Sequence, residues 1–153
     1  MAAGLAVAPA ETRAEIVRVA RAFLGTRFRH QGRTAEGLDC AGLVIAVGQA
    51  AGVLPDVIEV PNYGRRADGR TLIETCRANL VQILTSTIRL GDVCVFLVDG
   101  DPQHLGIVAD HPAGGFSIIH AFVTRKKVVE NRLDDLGRMN MIAAFRYPGV
   151  EAD

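Results

Sequence analysis

The sequence predicts an α+β fold, with N-terminal helices packed on a central antiparallel sheet of about five strands, and three observations carry that expectation. Apolar residues recur at helical spacing through the first half of the chain. Short apolar or alternating runs, bounded by Gly, Pro, Asp and Asn, fill the second half. No repeat, low-complexity tract or linker separates the two, so residues 1–153 read as one domain with a core over about 12–148. With 49% hydrophobic and 22% charged residues, such a chain can bury a core without disulfide or metal staples.

The first helix is expected to start at Thr12-Arg13-Ala14-Glu15, a capping box, to present Ile16, Val19, Ala20, Phe23 and Leu24 on one face, and to stop at Gly25. A second begins near Asp39, turns Leu43, Val44, Val47, Ala50 and Ala51 to the core and ends at Gly52; Ala41, Gly42 and Ala46 let another layer come close. Pro55 to Arg70 is a polar loop long enough to suggest function. Its Tyr63 suits the lining of a substrate cleft and equally an exposed loop position. A third helix is expected from about Thr71 to Leu84. Strands follow at Val93–Val98, Leu105–Ala109, Phe116–Phe122, Lys127–Glu130 and Ile142–Tyr147, with Gly91-Asp92, Asp99-Gly100-Asp101-Pro102 and Asn131 to Asn140 as breakers.

Lys plus Arg and Asp plus Glu both number 17, so no net field favours nucleic acid or an anionic membrane. The basic clusters Arg65-Arg66 and Arg125-Lys126-Lys127 are short and read as solvated loops or turns. Three irregularly spaced cysteines do not form a disulfide framework; Cys76 falls on an apolar helix face and Cys94 in a buried strand. Met1 to Ala10 lacks the basic lead and apolar length of a secretory signal, and no stretch approaches a membrane span. Synthesis in the cytoplasm is the expectation that follows.

Gly37-Leu38-Asp39-Cys40-Ala41-Gly42-Leu43-Val44 places a cysteine where a loop becomes an apolar helix. Unpaired backbone N–H groups and the positive end of the macrodipole favour an ionised sulfur there and are expected to lower the pKa of Cys40. By itself the segment serves a nucleophile and a small buried hydrophobe equally well. Downstream, His104-Leu105-Gly106-Ile107-Val108 and Ser117-Ile118-Ile119-His120-Ala121 flank Asp110-His111-Pro112-Ala113-Gly114-Gly115, a tight reversal. In the resulting hairpin, residues whose numbers sum to about 224 to 226 lie opposite each other, which sets His104 against His120 or its near neighbour. Two histidines at one end of a hairpin suit a base and the group that orients it, or else two surface positions. Zinc ligation by Cys40, His104 and His120 is disfavoured, because no spacing offers a fourth ligand and a helix start with one histidine needs no metal. No metal or other cofactor is expected. Asp39 reads as the helix cap.

Together these segments resemble the NlpC-type cell-wall peptidases, a papain-like family of cysteine hydrolases. Gly25-Thr26-Arg27-Phe28-Arg29-His30-Gln31-Gly32 is similar to the family's loop before the nucleophile, and Asp39-Cys40-Ala41-Gly42-Leu43 to its Asp-Cys-(Ser or Ala)-Gly signature. Leu90-Gly91-Asp92-Val93 resembles its Pro-Gly-Asp step, His104-Leu105-Gly106-Ile107-Val108 its His-x-Gly-Ile block, and Ile118-Ile119-His120-Ala121 its third catalytic position. The likeness runs from about Thr12 to Pro148 in family order.

The resemblance implies catalysis by Cys40, His104 and His120 and a substrate site bounded by Phe28, His30, Asp39 and Tyr63. The bond implied joins D-γ-glutamyl to a diamino acid in a peptidoglycan stem peptide. Phe28 departs from the family, where many members carry a tyrosine whose hydroxyl lies near the cysteine. Arg29-His30-Gln31-Gly32-Arg33 resembles the phage-encoded branch found in tail tips and gene-transfer particles, which implies delivery to the wall by phage-like tail proteins. Two other roles fit the same residues: a structural tail-tip component, and a thiol amidase or acyltransferase acting on a lipid or small peptide.

Overall fold

The computed structural model describes residues 9–61, 63–64, 70–98 and 101–150; the expectations for Met1 to Ala8, Arg65-Arg66 and Asp99-Gly100 lie outside them. Helix α1 spans Pro9–Ala22. It starts a turn before the expected capping box, with a proline whose fixed φ and missing N–H suit a first turn. Glu15 therefore lies inside the helix, where it accepts hydrogen bonds from Arg18 at 2.8 and 2.5 Å instead of capping. A two-stranded hairpin that periodicity did not signal follows, β1 (Arg33–Thr34) with β2 (Gly37–Leu38), ahead of helix α2 (Cys40–Ala50).

Helix α2 is buried on every side from Ala41 to Gly48, so it forms the centre of the fold and has no solvent stripe. Two glycines permit this. A Cβ on Gly42 would lie 1.7 Å from the Gly32 carbonyl oxygen, and one on Gly48 would lie 2.5 Å from Leu54 and 2.6 Å from Tyr147. Tyr147 sends its hydroxyl to the Val44 carbonyl at 2.6 Å.

Helix α3 covers Thr71–Asn79 and is five residues shorter than expected. Leu80 turns extended, and β3 (Val81–Ile83) pairs with the last strand. That partner lies sixty-odd residues away and leaves no local mark. The other strands are β4 (Val93–Val98), β5 (Asp101–Asp110), β6 (Phe116–Phe122), β7 (Lys127–Arg132) and β8 (Met141–Arg146). They form a six-stranded antiparallel sheet, β3-β8-β4-β5-β6-β7, against the expected five strands. Two expected breakers are structured: Asp101-Pro102 joins β5, and the segment after β7 contains a short helix α4 (Asp135–Asn140) capped by Asp134, whose Oδ1 accepts from the Gly137 N–H at 2.8 Å. Helix α4 escapes periodicity because six residues make under two turns.

The sheet buries both faces. Val93, Val95, Leu105, Ile107, Ile119 and Phe145 meet the helices, whereas Cys94, Phe96, Val108, Ile118 and Ala144 form a second cluster with Ile88 and Leu133. The Leu90-Gly91-Asp92 step ties the helical layer to the sheet. Asp92, fully buried, accepts from Arg13 at 3.2 Å, from Arg146 at 2.9 Å on each oxygen and from the Arg89 N–H at 2.8 Å. Such a buried carboxylate is tolerated because charged and backbone donors meet both oxygens.

Candidate active site

Cys40 is the first residue of α2, and Asp39 is its cap. The Asp39 Oδ1 accepts from the Gly42 N–H at 2.7 Å, and Oδ2 accepts from the Gln31 N–H at 2.7 Å and from the Tyr63 hydroxyl. The preceding loop is thereby bound to the helix start. Gln31 adopts a positive φ of 60°, its side-chain amide donates to the Tyr63 carbonyl at 2.8 Å, and the His30 ring meets Tyr63 edge-on at 5.5 Å. Phe28, half-buried, packs against the main core. Of the four residues expected at the substrate site, His30, Asp39 and Tyr63 thus form one contact group around the nucleophile loop. Tyr63 brings a hydroxyl to the carboxylate beside Cys40, a position that Phe28 cannot supply. Burial, followed by the Asp39 carboxylate, pushes the Tyr63 phenol upward.

The expected lowering of the Cys40 pKa is not found. Burial first, and the neighbouring Asp39 carboxylate second, push the thiol up to about 12, against the opposing pull of backbone N–H groups of Leu105, Ala41 and Cys40 itself. The helix start does offer its donors, but the cap that completes it is an anion, which offsets the positive end of the helix at the place a thiolate would use. Burial likewise pushes Cys76 and Cys94 up to about 12. Access, rather than ionisation, is what separates the three: Cys40 is partly exposed, Cys76 is 5% exposed and Cys94 is fully buried. Iodoacetamide is accordingly expected to label Cys40 first in the folded protein, with the other two reacting only on unfolding. Because the thiol is raised, the Cys40 rate should keep climbing with pH beyond 9 instead of levelling near neutrality; peptide mass spectrometry over a pH series checks both points.

The hairpin register takes the upper end of the expected range, with Ile107 opposite Ile119 and Asp110 opposite Phe116. His104 and His120 are then diagonal neighbours on one sheet face. Their rings meet edge-on with centroids 4.8 Å apart, and the His104 Nε2 to His120 Nδ1 distance is 2.6 Å. His120 continues to Asn131, with Nε2 at 2.8 Å from Oδ1. The chain has a direction. An amide oxygen only accepts, so His120 donates from Nε2; neutral His120 then accepts at Nδ1, His104 donates from Nε2, and the lone pair of neutral His104 resides on Nδ1. Burial, and then His120, push the His104 imidazole down to about 3, so it is neutral across the physiological range. His120 is lowered by burial and partly restored by Asn131.

Leu105, whose backbone N–H is one of the groups that pull the Cys40 thiol down, adjoins His104 on β5. Leu105 faces the helices, and His104 lies on the alternate face opposite Phe96, next to the register shift between Phe96 and Leu97. Asn131 escaped the sequence reading, which placed it at the start of a breaker. It sits on β7 opposite Ile118, diagonal to His120, and only the β6–β7 register reveals that proximity. Among the described residues, no group of three His, Cys, Asp or Glu side chains is placed to hold a metal ion. A neutral imidazole with a fixed lone pair, a thiol and helix-start N–H groups constitute the parts needed for acyl transfer to sulfur.

The family model described as the NlpC/P60 family matches residues 25–143. No curated protein matches the chain. Among solved structures, an NlpC/P60 family protein from Bacillus cereus is similar at a TM-score of 0.63 and 20% identity, over 88% of this chain and 40% of that one. The NlpC/P60 domain of the peptidoglycan hydrolase SagA has a TM-score of 0.61 and 21% identity, covering 87% and 97%. The peptidoglycan hydrolase RipB from Mycobacterium tuberculosis has a TM-score of 0.62 and 18% identity, covering 91% and 66%. The α+β architecture is thus the papain-like one of these proteins, and this chain spans less than half the length of the Bacillus cereus protein. Among the described residues, no helix is long and apolar enough to cross a membrane.

Proposed function

The chain belongs to the NlpC/P60 family, and from that premise we propose that it is a cysteine peptidase that hydrolyses an amide bond in peptidoglycan stem peptides. The observation that carries the reading is the Asn131–His120–His104 chain, which leaves an unprotonated Nδ1 on His104, next in the chain to Leu105, whose backbone N–H pulls the Cys40 thiol down. In the reaction, Cys40 Sγ forms a bond to the amide carbon while its proton passes to Nδ1 of His104. With the thiol at about 12 and the imidazole at about 3, a resting ion pair is unfavourable, so transfer accompanies attack. The N–H groups of Cys40 and Ala41 stabilise the oxyanion. His104 returns the proton to the leaving amine as the C–N bond breaks, then takes one from the water that attacks the acyl carbon and passes it to the Cys40 sulfur as the C–S bond breaks. His120 holds the ring of His104 and Asn131 holds His120.

By family likeness the scissile bond is that between D-γ-glutamyl and a diamino acid. Digestion of purified peptidoglycan followed by mass spectrometry of the fragments tests it, since each candidate bond leaves a different new amine. Delivery by a phage-like tail, supported by the likeness of residues 29–33 to the phage-encoded branch, predicts that the protein copurifies with particle proteins in its native gene context. Action at the cell wall follows from both proposals.

Tyr63 supplies the hydroxyl that Phe28 lacks. Tyr63→Phe is expected to lower kcat/KM roughly tenfold or more, the value of a hydrogen bond to a charged group, because Asp39 loses a donor beside the nucleophile. Phe28→Tyr should change little, because Asp39 already has a phenol. Kinetics of both variants on a soluble stem-peptide substrate check the contrast.

A further inference from the structure

Two short basic segments that are far apart in the sequence, residues 27–29 and 125–127, are joined through the backbone. Arg27 bridges antiparallel to Lys127, the Phe28 N–H donates to the Lys126 carbonyl at 2.8 Å, and the Val128 N–H donates to the Thr26 carbonyl at 2.8 Å. Arg27 and Lys127 therefore share one face of this strip, and Arg29 returns to that face two residues on. Arg27, Arg29, Arg125, Lys126 and Lys127 are all exposed. Among the described residues none of these five pairs with a carboxylate, whereas Arg13, Arg18, Arg21 and Arg146 each do. The Arg27 Nε donates to the Glu36 carbonyl at 3.0 Å, and Glu36 is the one acidic residue within residues 25–38 and 122–129. The flanking acids are engaged elsewhere, Asp39 by Gly42, Gln31 and Tyr63, and Glu130 by Arg21 and Ser117. A chain without net charge thus carries a strip of uncompensated positive charge.

The strip runs into the nucleophile loop, since the Arg29 N–H donates to the carbonyl of Leu38, two residues before Cys40, at 3.0 Å. One strand spacing and two extended residues put its nearest backbone roughly 10 Å from the nucleophile, with the β7 side about one strand spacing beyond. That is too far to contact the amide under attack and suits the next charges along an extended polymer. We infer that the strip docks the carboxylates of stem peptides neighbouring the one being cleaved, on the same peptidoglycan strand. The inference rests on the proposed stem-peptide substrate, in which a γ-linked glutamyl residue keeps its α-carboxylate free and the polymer repeats that charge. Exposed cations gather such a chain through screened charge, without a shaped pocket. A nucleic acid would call for exposed rings among the cations, yet Phe28 packs against the core and His30 meets Tyr63. An anionic membrane would call for an apolar face, and Val123 is the one large exposed apolar residue in these segments.

Cosedimentation of the Cys40→Ala protein with intact sacculi stripped of phosphate polymers tests it, because binding is then read without turnover. Adding Arg125→Gln, Lys126→Asn and Lys127→Gln together should weaken binding about tenfold at low salt, the sum of three exposed charge contacts. Asparagine is chosen at position 126 because φ there is 61°. Raising salt from about 50 to about 500 mM should erase most of that difference, and so should amidation of the sacculus carboxyls. Removing as many charges elsewhere, with Arg18→Gln, Arg77→Gln and Arg89→Gln, should change binding by less than about twofold, which separates the strip from net charge. With Cys40 in place, the 125–127 substitutions should leave kcat/KM on a soluble stem peptide within about twofold. Equal sacculus binding with and without the three cations, a difference that survives carboxyl amidation, an equal loss on the soluble peptide, or tighter binding to duplex DNA or to anionic lipid vesicles than to sacculi would overturn the docking strip. Failure of hydrolysis and failure of docking give separate readouts, since the binding arm needs no cleavage.

Discussion

Cys40→Ala is expected to lower peptidoglycan hydrolysis by at least about a thousandfold while leaving the fold in place, because the variant removes the atom that bonds to the substrate and little that holds the helix. The Asp39 cap and its bonds to Gly42, Gln31 and Tyr63 do not involve the thiol, and Cys40 packs only at the margin of the core. Fragment release from purified peptidoglycan, measured by liquid chromatography beside a thermal melt, separates the two effects. Loss of fragments with an unchanged melt is the expected pair. Retained hydrolysis would remove Cys40 from the chemistry, and with it the roles of His104 and His120. Chemical reasoning places the loss in kcat: the Sγ bond exists only after binding, so affinity for the stem peptide should be largely kept.

Gly42→Ala should unfold or misassemble the nucleophile loop, at a cost of about 3 kcal/mol or more, the upper end for overpacking. The added Cβ would sit 1.7 Å from the Gly32 carbonyl oxygen and 2.9 Å from its carbon. A backbone group cannot rotate aside as a side chain can. Gly32 lies between Gln31 and the hairpin that leads to Asp39, and Asp39 N–H donates to that same carbonyl at 3.3 Å. Moving it therefore shifts the cap and the Tyr63 contact together, so activity should fall further than stability accounts for. Gly48→Ala provides the comparison. Its Cβ would meet Leu54 and Tyr147 side chains, which can partly yield, and its effect on the site should be small because Gly48 is two turns from Cys40. Urea denaturation and kcat/KM of the two variants check the ranking.

The element list was largely legible because its signals are local. Strand β4 at Val93–Val98, strand β6 at Phe116–Phe122 and the start of α2 at Cys40 coincide with expectation, since alternation, Gly and Pro boundaries and an Asp cap act within a few residues. The misses were long-range or short. Val81–Ile83 became a strand through pairing with Arg146–Ala144, and α4 spans too few residues to show a period.

For the site, the sequence by itself determined which groups were available: a cysteine at a helix start, two histidines on one hairpin, and a phenylalanine where a hydroxyl was expected. It also fixed their approximate pairing, because antiparallel strands joined by a tight turn leave little freedom of register. Only the tertiary structure decided how those groups are poised. Asn131 gives the histidine chain its direction across a strand boundary, and Tyr63 restores a hydroxyl from a loop more than twenty residues beyond the nucleophile. The Cys40 thiol rises to about 12 instead of falling, because burial and an anionic cap are properties of the packed helix start. Local patterns act through neighbours in the chain, whereas dielectric, charge and hydrogen-bond direction act through neighbours in space, and those exist only once the sheet and helices have met.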